Sequence, residues 1–160
     1  MENKTLLTKG LQEGFGGETA RKGVKRGGFE LESSHLETED GSVYHDEWLA
    51  DRVGGGQELT DVNGNKFTRV YAGGTIAVNV LQELGLTKKD VIGFLKKQIK
   101  ENGENIRLYD NFEPEAEEKW RYEYKVIDRE KEIPVTTGKE SIFYNEKLVF
   151  VHVFALSPIE

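Results

Sequence analysis

A histidine, three carboxylates and two aromatic rings are concentrated in the segment VYHDEWLADRVGGG, residues 43–56. Successive side chains of a β-strand point to opposite faces, so Tyr44, Asp46 and Trp48 would share one face. Two large aromatic side chains favour burial of that face, and Asp46 is carried inward with them. A buried carboxylate without a partner is costly, so Asp46 would need an arginine, a tyrosine hydroxyl or a ligand. The alternative is an edge strand on which Asp46 is exposed.

Other acidic and aromatic side chains lie in segments that the sequence predicts to be strands. We expect Glu58 or Tyr71 on a strand next to that of Asp46. The segment KWRYEYKV places three aromatic side chains, among them Tyr122, on one face, where they pack in a sheet core or line a small-molecule pocket. The candidate ligand-binding residues are Tyr44, Asp46, Trp48, Glu58, Tyr71, Tyr122 and Glu140. Catalytic residues are not identified by any motif.

Several common kinds of site have no support in the sequence. There is no cysteine, and the three histidines do not occur at a metal-binding spacing. His45, Asp46 and Glu47 are adjacent in a strand, so their side chains point apart and chelate poorly. The G-x-S-x-G elbow and both phosphate-loop patterns are missing. We therefore expect no metal and no cofactor, and we interpret Gly54–Gly56 as turn residues between strands.

The remaining pattern predicts an α+β fold. Two turn signals, Thr38–Gly41 and Asn63–Asn65, each separate two β-compatible runs, and a third hairpin turns at Asn145–Glu146. Three short helical patterns are visible, and Thr87 with Asp90 forms a capping box before the last of them. The expected architecture is a mostly antiparallel twisted sheet of about six to seven strands built from hairpins, packed against two or three helices.

The length of 160 residues favours a single domain over residues 1–160. Residues 14–28 carry six of the 18 glycines and several basic side chains, so we predict a flexible, glycine-rich basic loop there. The net charge of −7 makes nucleic acid an unfavourable partner. No apolar segment approaches the roughly 20 residues of a membrane span, and no signal peptide is visible. With cysteine absent, a cytoplasmic location is the expectation.

The order of motifs resembles a prokaryotic family known as domain of unknown function 5680. It runs Y-x-D-x-W, a glycine run, E-x-x-x-x-N-G-x-x-F-x-R-x-Y-x-G, a helix, an aromatic strand and G-x-E-x-I-x-Y-N-x-K-x-V. The residues that carry it are Tyr44, Asp46, Gly54, Gly55, Glu58, Asn63, Gly64, Tyr71, Gly73, Tyr122, Gly138, Glu140, Ile142, Tyr144, Asn145, Lys147 and Val149.

This chain departs from that family in two places. A pair of tyrosines before the glycine is replaced by Val70-Tyr71-Ala72-Gly73, and the glycine-rich end is replaced by Phe154-Ala155-Leu156. A site lined by those positions would differ here. The resemblance implies no activity. Some members are fused to helix-turn-helix domains, which implies a sensory or regulatory role.

Three classes of function stay open from the sequence. The leading hypothesis is a domain that binds a small molecule or a protein partner in a regulatory or accessory role. The alternative is a small hydrolase or transferase that uses Asp46, Glu58 or Glu140 as an acid or base, and a closed pocket holding two of these carboxylates would favour it. An interaction subunit would instead show a flat apolar face. A homodimer is compatible with each class.

Overall fold

A computed structural model describes residues 1–17 and 21–160, and the side chains of residues 1–17 and 22–160. Eight strands form one antiparallel sheet: β1 (Arg21–Arg26), β2 (Phe29–Glu37), β3 (Val43–Ala50), β4 (Val53–Val62), β5 (Asn65–Thr75), β6 (Trp120–Arg129), β7 (Thr136–Tyr144) and β8 (Lys147–Ile159). The helices are α1 (Asn3–Glu13), α2 (Val78–Glu83) and α3 (Lys88–Asn102). The predicted α+β class with an antiparallel sheet is confirmed, with eight strands in place of six to seven.

The strand order is β1-β2-β3-β4-β5-β8-β7-β6. The first five strands follow one another as a meander, whereas β8 pairs with β5 and β6 forms the far edge. The predicted hairpin turns are confirmed where the chain requires positive φ. Asn63 and Gly64 have φ of 53° and 85°, and Asn145 and Glu146 have φ of 46° and 62°. These are the backbone angles that two-residue hairpin loops need.

The loop predicted over residues 14–28 is wrong for residues 21–26, which form the edge strand β1. Gly27 and Gly28, with φ of 55° and 88°, make the turn that folds β1 back onto β2, and Val24 pairs with Leu31. Two of the six glycines therefore serve one tight turn, and Gly23 lies within β1. The basic side chains on an outermost strand are a common way to discourage pairing with another chain. The part of the predicted loop at residues 18–20 lies outside the described residues.

The turn predicted at Gly54–Gly56 is also wrong, because these residues lie within β4. A Cβ atom on Gly54 would lie 2.2 Å from the Leu49 carbonyl oxygen, and one on Gly55 would lie 2.4 Å from the Tyr71 carbonyl oxygen. The glycines allow β3, β4 and β5 to approach more closely than side chains would permit. This close approach shapes the surface beside Asp46.

The helices cover one face of the sheet. Gly10 of α1 packs against the Tyr44 ring, where a Cβ would lie 2.2 Å from the ring. Thr87 caps α3 together with Asp90, as the sequence predicts, and Val91, Leu95 and Ile99 of α3 are fully buried. No helix within residues 1–17 or 21–160 is long and apolar enough to cross a membrane.

Candidate functional site

The face of β3 that carries Tyr44, Asp46 and Trp48 is buried, as the alternation predicts. Their exposed fractions are 1%, 2% and 8%. Since β3 lies between β2 and β4, the alternative of an exposed edge strand is wrong. Burial of two aromatic rings thus brings a carboxyl group into the interior of the protein.

Glu58 lies on β4, directly opposite Asp46 of β3, and the protein satisfies its carboxylate with three hydrogen bonds. The Arg69 side chain on β5 donates to both of its carboxylate oxygens, through Nε and through Nη2, the latter at 2.5 Å. The Tyr44 hydroxyl donates to Oε1 at 2.9 Å. Three donors, two of them charged, offset the cost of burying this carboxylate.

A second ion pair of the same kind joins Arg107 and Glu140. Arg107 lies in the loop after α3 and donates through Nε at 3.0 Å and Nη2 at 2.8 Å to the Glu140 carboxylate on β7. The Tyr122 hydroxyl on β6 donates to the same carboxylate at 2.7 Å. Burial alone would raise the pKa of Glu140, but the charge and the hydrogen bonds of Arg107 override it and lower this pKa.

The two ion pairs are connected through the backbone of Arg107. Its carbonyl oxygen accepts a hydrogen bond from Arg69 Nη1 at 2.8 Å, while its own φ is 58°. A non-glycine residue in this left-handed conformation costs roughly 1 kcal/mol. The hydrogen bonds of its guanidinium group and of its carbonyl oxygen hold Arg107 in this conformation. We call the residues Tyr44, Glu58, Arg69, Arg107, Tyr122 and Glu140 the buried network.

Asp46 stands apart from this network because no cation among the described residues pairs with it. Its one hydrogen-bond donor in that part of the chain is the Tyr71 hydroxyl, 3.1 Å from Oδ1 and 3.3 Å from Oδ2. Burial, reinforced by the negative charge of Glu58, raises the pKa of Asp46 to about 8. At neutral pH the side chain is therefore mostly a neutral carboxylic acid, with hydrogen-bonding capacity left unused.

Tyr71 reaches Asp46 because Gly56 has no side chain. Gly56 lies on β4 between Trp48 on β3 and Tyr71 on β5. A Cβ atom on Gly56 would lie 2.6 Å from the Tyr71 hydroxyl and 2.7 Å from the Trp48 Cβ. The missing side chain at Gly56 therefore leaves the space in which the Tyr71 side chain crosses β4.

We expect Gly56→Ala to destabilise the protein by roughly 1–3 kcal/mol, since the methyl group must displace either the Tyr71 hydroxyl or the backbone of β3. Gly93→Ala is a matched control, because a Cβ there meets nothing within 4 Å on an exposed face of α3. That control should gain roughly 0.5–1 kcal/mol from helix propensity. Urea unfolding of both variants measures the difference, and a Gly56→Ala variant as stable as the parent would contradict the packing.

A cavity of about 210 Å³ opens between the sheet and α3, beside Asp46. Its aromatic walls include Phe15, Trp48 and Phe150, and the Phe15 and Trp48 rings meet edge to face at 6.4 Å. The polar groups in its lining are Asp46, Tyr71, Thr75, Arg107 and His152, and the charged groups at its rim are Glu32, Asp51, Arg52, Lys88 and Lys96. Mostly apolar walls with a few polar groups are typical of ligand sites.

Three further polar groups in this lining lack a hydrogen-bond partner among the described residues. Thr75 Oγ1 and His152 Nδ1 are buried and unpaired; the nearest carboxylate oxygen to His152 Nδ1, on Glu140, is 3.7 Å away, too far for a hydrogen bond. Burial lowers the pKa of His152, which keeps the imidazole neutral at pH 7. Arg107 donates hydrogen bonds to Glu140 through Nε and Nη2, and its Nη1 has no hydrogen-bond partner among the described residues.

The structure separates the sequence-predicted residues into two groups. Asp46, Trp48 and Tyr71 line the cavity, whereas Tyr44, Glu58, Tyr122 and Glu140 belong to the buried network and are not part of its lining. Sequence reasoning did not identify Arg69, Thr75, Arg107 or His152 as candidate site residues. The strand pattern could have identified Arg69, because it lies two residues before Tyr71 on β5 and therefore shares its face of the strand. Arg107 follows α3 in an irregular segment, where no periodicity marks which way a side chain points.

No family model, no curated protein and no solved structure matches this chain. The family resemblance drawn from the order of motifs therefore stays a prediction.

Proposed function

We propose that this protein binds a small organic molecule in the cavity beside Asp46, in a regulatory or accessory role. The observation that supports this most is the contrast among its buried carboxyl groups. Glu58 and Glu140 each accept three hydrogen bonds from the protein. Asp46 has one neutral donor among the described residues. A polar group that is buried at a cost and left under-used beside a cavity is suited to a ligand.

The size of the cavity limits the ligand. Drug-sized ligands occupy pockets of roughly 300–1,000 Å³, while an apolar cavity of about 150 Å³ holds benzene. At about 210 Å³, this cavity suits a molecule with one ring or a short branched chain. Such a molecule would contact Trp48 and Phe150 and direct its polar group at Asp46.

An enzymatic role is the second candidate, and one feature favours it. Asp46, with its pKa raised to about 8, lies in the same lining as a neutral His152, and a proton donor beside a proton acceptor is the composition of a general acid–base pair. However, Glu58 and Glu140 are held in ion pairs, so the cavity contains one of the three candidate carboxylates. This is why binding is the leading proposal. A compound that the parent protein converts, and that Asp46→Asn binds without converting, would favour the enzyme.

The binding proposal is tested by filling the cavity. A library of fragments of up to about 15 heavy atoms, scored by thermal shift, should contain compounds that stabilise the parent protein. Ile92→Trp, which places a large ring in the lining, should abolish those shifts. Ile127→Trp, at an exposed side chain on β6, is the control and should retain them. Shifts that survive in Ile92→Trp, or a library without any binder, would contradict the proposal.

A further inference from the structure

The unpaired groups around the cavity share one property, which is that each can donate a hydrogen bond. Arg107 Nη1 can only donate, and Thr75 Oγ1 and one nitrogen of a neutral His152 carry a hydrogen. Asp46 adds a fourth donor when its carboxyl group is protonated. A ligand that satisfies Arg107 Nη1 must therefore present an acceptor, to which the other groups can donate as well, and a carboxylate presents two oxygens with about four lone-pair directions.

The charges of the described residues favour a ligand with one negative charge. Inside, Glu58 balances Arg69, and Glu140 balances Arg107. At the rim, Lys88 pairs with Asp51 at 2.5 Å, whereas Arg52 donates to the Thr75 carbonyl oxygen and has no carboxylate partner within ion-pair distance among the described residues. With Asp46 protonated, Arg52 is thus a cation at the rim that no described carboxylate pairs with. An anion would offset this charge, whereas a cation would add to it.

The aromatic lining indicates the body of the ligand. Phe15, Trp48 and Phe150 supply apolar walls, and Phe150 and Tyr71 both lie close to His152, with ring centroids 4.6 and 5.6 Å from it. The volume is sufficient for a single aromatic ring. A ring packed on these walls would lie in the same cavity as Asp46, Thr75 and Arg107, which its substituent could reach.

We infer that the ligand of this cavity is a small monocarboxylate with an apolar or aromatic body, whose carboxylate accepts hydrogen bonds from Arg107 Nη1, from Thr75 Oγ1 and from the carboxyl group of Asp46. The inference rests on the proposed function and specifies its ligand. The Asp46 proton lies between two carboxyl groups in the complex, so binding favours the protonated form of Asp46. Ionisation of Asp46 removes a donor and places a like charge against the ligand, and binding then weakens.

Several charged or titratable groups face Asp46 or share its cavity. They are Glu32 on β2, Asp51 and Arg52 after β3, Glu58 on β4, Arg69 and Tyr71 on β5, Lys88 and Lys96 on α3, Arg107 after α3 and His152 on β8. The pKa of Tyr71 is raised by burial, and that of His152 is lowered by burial. Carboxylates, lysines and arginines ordinarily titrate outside the range from pH 7 to pH 9. Within that range, the change in binding therefore reports Asp46.

Three probes of matched size distinguish the ligand classes: benzoate, benzyl alcohol and benzylammonium, each titrated calorimetrically into the full chain at pH 7 and at pH 9. We expect benzoate to bind most tightly at pH 7. With the pKa of Asp46 at about 8, the protonated fraction falls about tenfold between these pH values, and the affinity for benzoate should fall by the same factor. Asp46→Asn keeps a donor that cannot ionise, so it should bind benzoate with equal affinity at both pH values.

Thr75→Val locates the anion in this cavity. The substitution removes a hydroxyl that has no partner among the described residues, so stability should be unchanged or higher, while benzoate binding should weaken about tenfold. Asp110→Asn, at a position outside the cavity lining, is the control and should bind as the parent does.

Failure of the carboxylate inference can be distinguished from failure of the binding proposal. Tighter binding of benzylammonium, or an affinity for benzoate that is unchanged or rises with pH in the parent protein, would overturn the inference. Benzyl alcohol binding as tightly as benzoate would do the same and would leave the binding proposal intact. If none of the three binds while the fragment library still yields compounds that Ile92→Trp excludes, the carboxylate inference fails alone.

Discussion

Replacing Arg69 with methionine should lower the free energy of unfolding by about 3–5 kcal/mol, because removing one member of a buried ion pair leaves an uncompensated charge in the interior. Arg69 and Glu58 are 1% and 0% exposed. Glu58 would retain one donor, the Tyr44 hydroxyl, and the Arg107 carbonyl oxygen would lose the hydrogen bond from Arg69 Nη1. Urea unfolding at pH 7 measures this loss.

The double variant Arg69→Met/Glu58→Gln separates the lost charge pair from lost packing. The amide introduced by Glu58→Gln is neutral and keeps an acceptor for the Tyr44 hydroxyl, so the double variant should be more stable than Arg69→Met alone by at least about 1 kcal/mol. Lys66→Met, at an exposed ion pair of 3.9 Å with Asp61, is the control and should change stability by less than about 0.5 kcal/mol. An Arg69→Met variant that loses no more than this control would show that the ion pair contributes little.

Asp46 should make the protein less stable as pH rises. Its pKa is about 8 in the folded protein against an ordinary value of 3.8, so between these values the folded state binds a proton that the unfolded state has released. By linkage, stability then falls with rising pH across that window. One pKa unit corresponds to about 1.4 kcal/mol, so the total fall approaches about 6 kcal/mol as an upper limit, on the order of half of a typical domain's stability.

Asp46→Asn should remove this dependence, because an amide keeps an acceptor for Tyr71 without ionising. From pH 5 to pH 8 the difference in stability between variant and parent should grow by about 4 kcal/mol in favour of the variant. His152 contributes with the opposite sign: its pKa is lowered, so its contribution is lost as pH falls below about 6.5. The difference between parent and variant, measured by urea unfolding at each pH, cancels that contribution. A difference that stays constant from pH 5 to pH 8 would contradict the raised pKa.

Much of the fold follows from local rules. Hairpin turns with asparagine and glycine, the capping box of α3 and the alternation on β3 each depend on residues close together in sequence, and each appears where the pattern predicts it. A run of glycines did not by itself distinguish a turn from a strand. Gly27 and Gly28 form a turn and Gly54–Gly56 form part of a strand, because the reason for glycine in β4 is the close approach of neighbouring strands. That approach cannot be read from the segment alone.

The candidate site divides in the same way. The shared burial of Tyr44, Asp46 and Trp48 followed from strand periodicity. The difference in role between Asp46 and Glu58 did not, because it depends on Arg69 reaching one carboxylate and not the other. The contribution of Arg107 depends on the path of the loop after α3, which places a side chain 33 residues away in sequence against Glu140. Long-range pairing of this kind leaves no periodic signal in a single sequence.

The most direct test of the account is a titration of the Asp46 carboxyl carbon by NMR. With ¹³C-labelled aspartate, the side-chain carboxyl resonance that disappears in Asp46→Asn is assigned to Asp46, and its chemical shift is followed from pH 4 to pH 10. The account predicts an inflection near pH 8 in the parent protein, moving upward when benzoate is bound. An inflection below pH 5 would mean that Asp46 is an ordinary ionised carboxylate at neutral pH. That result would contradict the claim that Asp46 is a neutral acid whose carboxyl group can donate a hydrogen bond to a ligand in the cavity.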